Sequence, residues 1–270
     1  MKLPIINNEN KKVGEKTLPK QFNELYRADL IKRAVLALQS NRNVYGSDPR
    51  AGKKASARIS KRRRDYRGSY GKGISRTPRK VMTKKGTQFN WTGAFAPNTV
   101  GGRRAHPPKS WKIVEQKIND KERKMALRSA IAASLNNQLI SKRNHVIPTQ
   151  FPFIISSEFE NITKAKDFFK ALTSLGFEKE LARVKEKKIR AGKGKIRGRK
   201  YDTKKGPLIV VSKECPLLKA GKNIHGLEIV AVKQLNCELL APGCTAGRLT
   251  LYTDASVDLM QKENLFMVAK

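Results

Sequence analysis

The sequence predicts an α/β fold, a mostly parallel four-stranded sheet with helices on both faces, together with a long extended basic loop. Two observations carry this. From Phe151 onward, short runs rich in β-branched residues alternate with helical stretches. Strand followed by helix, four times over, makes a parallel sheet covered on both sides. Between Tyr45 and Ser110, by contrast, 18 Lys and Arg stand against 2 Asp and Glu, with nine glycines, five prolines and no apolar run beyond Ala94 to Ala96. Neither a helical face nor a strand alternation can be read there, so this stretch is expected to stay unordered until a partner holds it.

Taken in order, "ADLIKRAVLALQSNRN" sets Leu30, Ile31, Ala34, Val35 and Leu38 on one helical face. After the basic segment, "NDKERKMALRSAIAASLNNQLISKRN" predicts one long helix. It opens with Asn119 and Glu122 in capping-box spacing and carries an apolar stripe of Met125, Ala126, Ala130, Ile131, Leu135 and Leu139. "FPFIISS" reads as a buried strand. "TKAKDFFKALTSLG" then reads as a helix with Phe168, Phe169, Leu172 and Leu175 facing inward and Gly176 as its stop. "PLIVVS", "LEIVAV" and "RLTLYT" supply three further strands, with "ECPLLKAG", "NCELLAP" and "DASVDLMQ" as short helices. Residues 1–44 and 111–270 are therefore assigned to a globular α/β domain and residues 45–110 to the extended loop. Residues 187–206 form a second basic loop within the globular domain, with ten Lys and Arg against the single acid Asp202. It falls between a helix and "PLIVVS", a position expected at the edge of the sheet.

Charge bounds the function. With 58 Lys and Arg against 22 Asp and Glu, the chain carries a net +36 over 270 residues, which calls for a polyanionic partner. At 39% hydrophobic residues it can still bury a core. Cys215, Cys237 and Cys244 make an odd count without a C-x-x-C pair, and are expected to be small buried or inert thiols, neither disulfide nor metal ligands. The start "MKLPIINNENKK" has no apolar signal region, and no apolar run nears the roughly 18 residues that span a bilayer. A soluble, intracellular protein with no membrane partner is expected.

Catalytic chemistry finds no support. Gly192, Gly194 and Gly198 spell G-x-G-x-x-x-G, one residue off the dinucleotide fingerprint, and they follow a charged helix where a strand is required. None of the Gly-Lys pairs at Gly52, Gly71, Gly192, Gly194 and Gly221 has the upstream glycine of a phosphate-binding loop. His106, His145 and His225 lie in separate segments and are expected at the surface or against RNA. The acids read as solvated helical partners of lysines, as in "EKELARVKEKK". No catalytic residue, metal ligand or cofactor is assigned.

The basic regions do offer nucleic-acid chemistry. Lys and Arg neutralise phosphates, arginine also stacks on bases, and interleaved aromatics add stacking surface. In the long loop the candidate contacts are Arg50, Lys53, Lys54, Arg58, Lys61, Arg62, Arg63, Arg64 and Arg67, then Lys72, Lys84, Lys85, Trp91, Arg103 and Arg104. Tyr66, Tyr70, Phe89 and Phe95 lie among them. In the second loop the candidates are Lys187, Lys188, Arg190, Lys193, Lys195, Arg197, Arg199 and Lys200. Taken alone, "KRRR" at Lys61 to Arg64 would also suit a nuclear signal or a solvated charge run. An RNA-modifying enzyme on a nucleotide-binding sheet and a DNA-compacting protein are the competing classes. The first lacks a cofactor loop, and the second has no need of an α/β core.

Several stretches, in order, carry a family resemblance: "ISRTPRK", "GAFAPNTVGGRRAHPPKSW", "ERKMALRSAIAAS", "RAGKGKIRGRK", and "NCELLAPG" through "GRLTLYT". Together they resemble the large ribosomal subunit protein four family in its archaeal and eukaryotic branch. The resemblance implies a three-layer α/β/α domain on the subunit surface and a loop threaded through ribosomal RNA to the wall of the nascent-peptide exit tunnel. It places Arg76, Thr77, Pro78 and Arg79 near the loop tip, beside protein twenty-two of the same subunit, and puts Gly93, Gly101, Gly102 and Arg103 on the return limb. The implied partners are large-subunit ribosomal RNA, neighbouring ribosomal proteins and the nascent peptide, with one copy per cytoplasmic subunit. The eukaryotic members' long C-terminal extension has no counterpart here, which favours an archaeal source.

Overall fold

The computed structural model describes residues 1–42, 62–65, 68–86, 88–103, 105 and 111–267. The chain divides into two compact units, one of Met1–Ser40 with Gln116–Lys270, the other Asn41–Glu115. In chain order the elements are strands β1 (Lys2–Ile6) and β2 (Lys12–Thr17), helix α1 (Ala28–Ser40), strands β3 (Arg79–Lys85) and β4 (Gln88–Gly93), and helices α2 (Asp120–Ala133) and α3 (Asn137–Lys142). There follow β5 (Ile154–Ile155), α4 (Ala165–Ser174), α5 (Glu178–Lys185), β6 (Lys187–Ile189), β7 (Tyr201–Thr203) and β8 (Leu208–Val211). The chain continues with α6 (Pro216–Ala220), β9 (Glu228–Ala231), α7 (Cys237–Leu240), β10 (Thr250–Thr253) and α8 (Asp254–Lys262).

The first unit is an α/β domain whose sheet runs β2-β1-β5-β10-β8-β9, with every neighbouring pair parallel except β1 and β2. The sheet has six strands where four were expected. The two extra strands lie at the N-terminus, where Pro4 and a lysine-rich β2 hide the alternation. Pro4 is tolerated because β5 pairs only with Ile5 and Ile6, so the missing N–H is not needed on that side. Along β8, Leu208 and Val210 join one apolar cluster while Ile209 and Val211 join the other. All four are wholly buried, each side chain contributing about 1.5–3 kcal/mol. The sheet is thus covered on both faces, by α1, α2, α7 and α8 on one side and by α4, α5 and α6 on the other.

Three local expectations are corrected. The long helix after the basic segment is two, because Asn136 interrupts it and caps α3, its side-chain oxygen accepting from Gln138 N at 2.9 Å. The capping box at Asn119 is not formed. Its side chain caps nothing, and Glu122 instead pairs with Arg33 of α1 at 3.2 Å. Phe169, expected to face inward, is 47% exposed beside the fully buried Phe168, because two adjacent helical positions differ by 100° in direction. Gly176 does terminate α4, at φ +84°. No helix among the described residues is long and apolar enough to cross a membrane.

Both basic regions contain short strands, although no strand alternation could be read in the first. In "RKVMTKK" and "QFNWTG" the β-formers Val81, Phe89 and Trp91 are spaced by lysines and short polar residues, so charge conceals a period-two pattern. The second region folds as the antiparallel pair β6–β7 and leads into β8, which lies one strand in from the edge strand β9. Its stem therefore meets the interior of the sheet and not the edge.

Candidate nucleic-acid interface

β3 and β4 pair from Arg79 opposite Gly93 to Lys85 opposite Gln88, with an irregularity between Val81 and Thr83. Gly86 takes φ +58° after β3, a conformation open to glycine at little cost. Phe89 and Trp91 are two residues apart on β4 and so share a face, their rings stacked at 5.6 Å with 26° between planes. Lys72 Nζ and the Arg79 guanidinium lie 5.5 and 5.6 Å from the Trp91 ring, and Lys84 Nζ lies 5.8 Å from Phe89. Arg76 stands 5.2 Å over Tyr70. Each exposed cation–π pair contributes only about 0.5–1 kcal/mol, enough to orient a cation without burying its donors. Arg79 Nη2 also donates to Ser75 Oγ at 3.0 Å, and the carbonyl of Pro78 accepts from Ala94 N at 2.8 Å. Arg79 stands at the open end of the hairpin, with Arg76, Thr77 and Pro78 in the chain leading into it.

The β6–β7 hairpin repeats the pattern in the other unit. Ile189 opposes Tyr201, whose ring has Lys187 Nζ at 5.9 Å and Lys200 Nζ at 5.5 Å. Between the strands, Gly192 and Gly198 at φ +77° and +78° bracket a helical turn bearing Lys193, Lys195 and Arg197, all exposed. Ile196 at this turn is 78% exposed. Arg199 N donates to Gly194 O and Arg190 N to Lys200 O, closing the hairpin, while Arg190 meets Asp202 at 3.4 Å.

Two buried clusters that sequence reasoning missed hold the stem. Arg248, wholly buried, donates from Nε to Gly206 O at 2.8 Å, from Nη2 to Pro207 O and from Nη1 to Glu228 Oε2 at 2.6 Å. Burial opposes the charge on both partners, yet Arg248 and Lys205 beside Glu228 keep its carboxyl below the ordinary range. The second cluster is Glu180, with His145 Nδ1 at 2.7 Å, Arg183 Nη2 at 2.7 Å and Val146 N at 2.9 Å. Arg183 also donates to Lys205 O at 3.0 Å. His145 is buried rather than at the surface, and Glu180 is wholly buried rather than a solvated partner of lysines. The only trace of this cluster in sequence was a glutamate on the apolar stripe of α5, among Leu181 and Val184.

The remaining candidates are simply placed. Arg62, Arg63, Arg64, Lys85, Lys188 and Arg199 are exposed, and Arg103 is half-buried. Arg50, Lys53, Lys54, Arg58, Lys61, Arg67 and Arg104 lie outside the described residues, as do Tyr66 and His106. Cys237 is buried and its thiol pushed up to about 12 by burial, while Cys215 and Cys244 are half-buried, and all three are free. Among the described residues no group of His, Cys, Asp and Glu is arranged to hold a metal ion.

Each of the two units thus carries a basic hairpin with cations set around aromatic rings, half-buried in β3–β4 and exposed in β6–β7, and nearly the whole chain matches known proteins. The model for the ribosomal protein L4/L1 family matches residues 16–263. The chain belongs to the ribosomal protein L4/L1 family. It is similar to the large ribosomal subunit protein uL4 of Nanoarchaeum equitans, 47% identical over 98% of this chain and all of the relative. The uL4 proteins of Archaeoglobus fulgidus and Methanosphaera stadtmanae are 41% and 42% identical over 96% and 91% of this chain. These likenesses put the chain in the archaeal branch. L4/L1 family members are structural proteins of the ribosome, not enzymes.

Proposed function

We propose that this chain is a structural constituent of the large ribosomal subunit in the cytoplasm, one copy per subunit, and that it binds ribosomal RNA through its two basic regions. The observation that carries the reading is the pair of hairpins in which cations, exposed at Lys72, Lys187 and Lys200 and half-buried at Arg79, are set around Trp91 and Tyr201. Such a surface neutralises phosphates and stacks on unpaired bases with little demand on sequence. Residues 45–110 run along RNA to the nascent-peptide exit tunnel, with Arg76, Thr77, Pro78 and Arg79 facing the passing peptide beside protein twenty-two. Thirty-three residues each way reach on the order of 100 Å when extended, enough to cross much of a subunit. Their cations would set the potential felt by the peptide.

Filter binding to large-subunit ribosomal RNA over a salt series tests the reading. Replacing Lys187, Lys188, Arg190, Lys193, Lys195, Arg197, Arg199 and Lys200 by Gln is expected to reduce the log–log salt slope by roughly 0.7 to 0.9 for each phosphate that the loop no longer neutralises. A slope that does not change refutes the second basic region as an RNA-binding element.

A further inference from the structure

We infer that the globular unit carries a protein-docking groove, and that its occupant is an amphipathic helix of a neighbouring subunit protein with a basic and an acidic residue two turns apart around an apolar centre. A hollow of about 350 Å³ lies between α4, α5 and the turn after α6. Leu181, Ala182 and Ile224 line it, and Phe169, 47% exposed, stands at its side. Its charged positions are ordered. Glu178 and Lys185 open and close α5, seven residues and so about 10 Å apart along the axis. His225 belongs to the Lys185 end, because Gly226 beside it packs against Val184, so closely that a Cβ there would overlap that side chain. Among the described residues the side chains of Glu178, Lys185 and His225 have no hydrogen-bond or ion-pair partner.

This lining does not suit a polyanion. The RNA candidates above set cations around rings with at most one acid nearby, whereas here a carboxylate guards one end of an apolar floor and would repel phosphate. An apolar groove with opposite charges at its two ends is the surface into which an amphipathic helix lays one face. The fitting helix has a Lys or Arg against Glu178, an Asp or Glu seven residues away against Lys185 and His225, and apolar residues three and four positions in between, over Leu181 and Phe169.

The inference rests on the reading of the chain as a large-subunit protein. The test replaces Phe169 by the photo-crosslinker p-benzoylphenylalanine in a chain assembled into large subunits, which are then irradiated. The expected product is a protein adduct whose mapped peptide has the stated apolar pair between a base and an acid. Lys185→Glu in the same background is expected to lower its yield about twofold to fivefold, because it replaces one exposed attraction with a repulsion. An RNA adduct, no adduct in subunits that contain the chain, or a yield indifferent to Lys185→Glu each overturns the groove. A wild-type chain that fails to co-sediment with large subunits overturns the subunit reading instead, and the groove's occupant with it.

Discussion

Glu180 has no exposed surface and faces the His145 imidazole and the Arg183 guanidinium, with Val146 N completing its acceptor sites. Burial favours the neutral acid, but the hydrogen bonds from Arg183 and His145 outweigh it and hold the carboxyl below its ordinary value of 4.5. A depressed folded value means that this contribution to stability is complete above about pH 4.5 and is lost as pH falls through the lower folded value. Thermal melting of the free protein should therefore lose this increment on acidification, and Glu180→Gln should remove that part of the acid sensitivity. Glu180→Ala strands a half-buried arginine and a buried imidazole and is expected to cost about 3 kcal/mol, a drop in Tm on the order of 10 °C by calorimetry. An unchanged Tm would mean that the cluster is not formed in solution.

At the scale of the element, the β3–β4 hairpin shows how a basic segment can be ordered without a core. Its strands are held by their own ladder and by stacking of Phe89 on Trp91, while Lys80, Lys84 and Lys85 stay at the surface and Arg79 is half-buried. Because Trp91 is only half-buried, removing it should weaken RNA binding more than the fold. Trp91→Ala is expected to weaken binding to ribosomal RNA by about 1–3 kcal/mol, and Trp91→Phe by less, in filter binding at fixed salt. Equal affinities for the three proteins would remove stacking from the interface. The globular elements behave differently, since their ends are fixed by packing. Gly247, at φ +90°, lies where a Cβ would come within 2.6 Å of Leu139 O, so the approach to β10 admits no side chain.

For the whole molecule, a net charge of +36 acts in opposite directions on folding and on binding. Like charges repel within the compact state, and salt screens that repulsion over a Debye length that shortens from about 30 Å at 0.01 M to about 8 Å at 0.15 M. Counterion release makes RNA affinity fall over the same range. The Tm of the free chain is therefore expected to rise with sodium chloride while its RNA affinity falls. If both fell together, the charge would not be the common cause.

The four parallel strands from Phe151 onward were legible because each is a short apolar run, wholly buried in β5, β8 and β10 and half-buried in the edge strand β9, and composition alone marks such a run. The candidate cations were legible for the same reason: charge density is a property of composition. β1, β2 and the two basic hairpins were not, because Pro4 in β1 and the charged and polar residues that make up most of the others mask any apolar period. By itself the sequence determined the fold class, the polyanion-seeking charge, the regions that bear it and the family resemblance, all of which follow from local pattern and residue type. Only the tertiary structure decided that Glu180, His145 and Arg183 meet in the interior, that Arg248 holds the stem from the start of β10, and that Phe169 faces solvent beside an ordered pair of charges. Each of those depends on which surfaces the packed sheet and helices bring together, and no local pattern encodes that geometry.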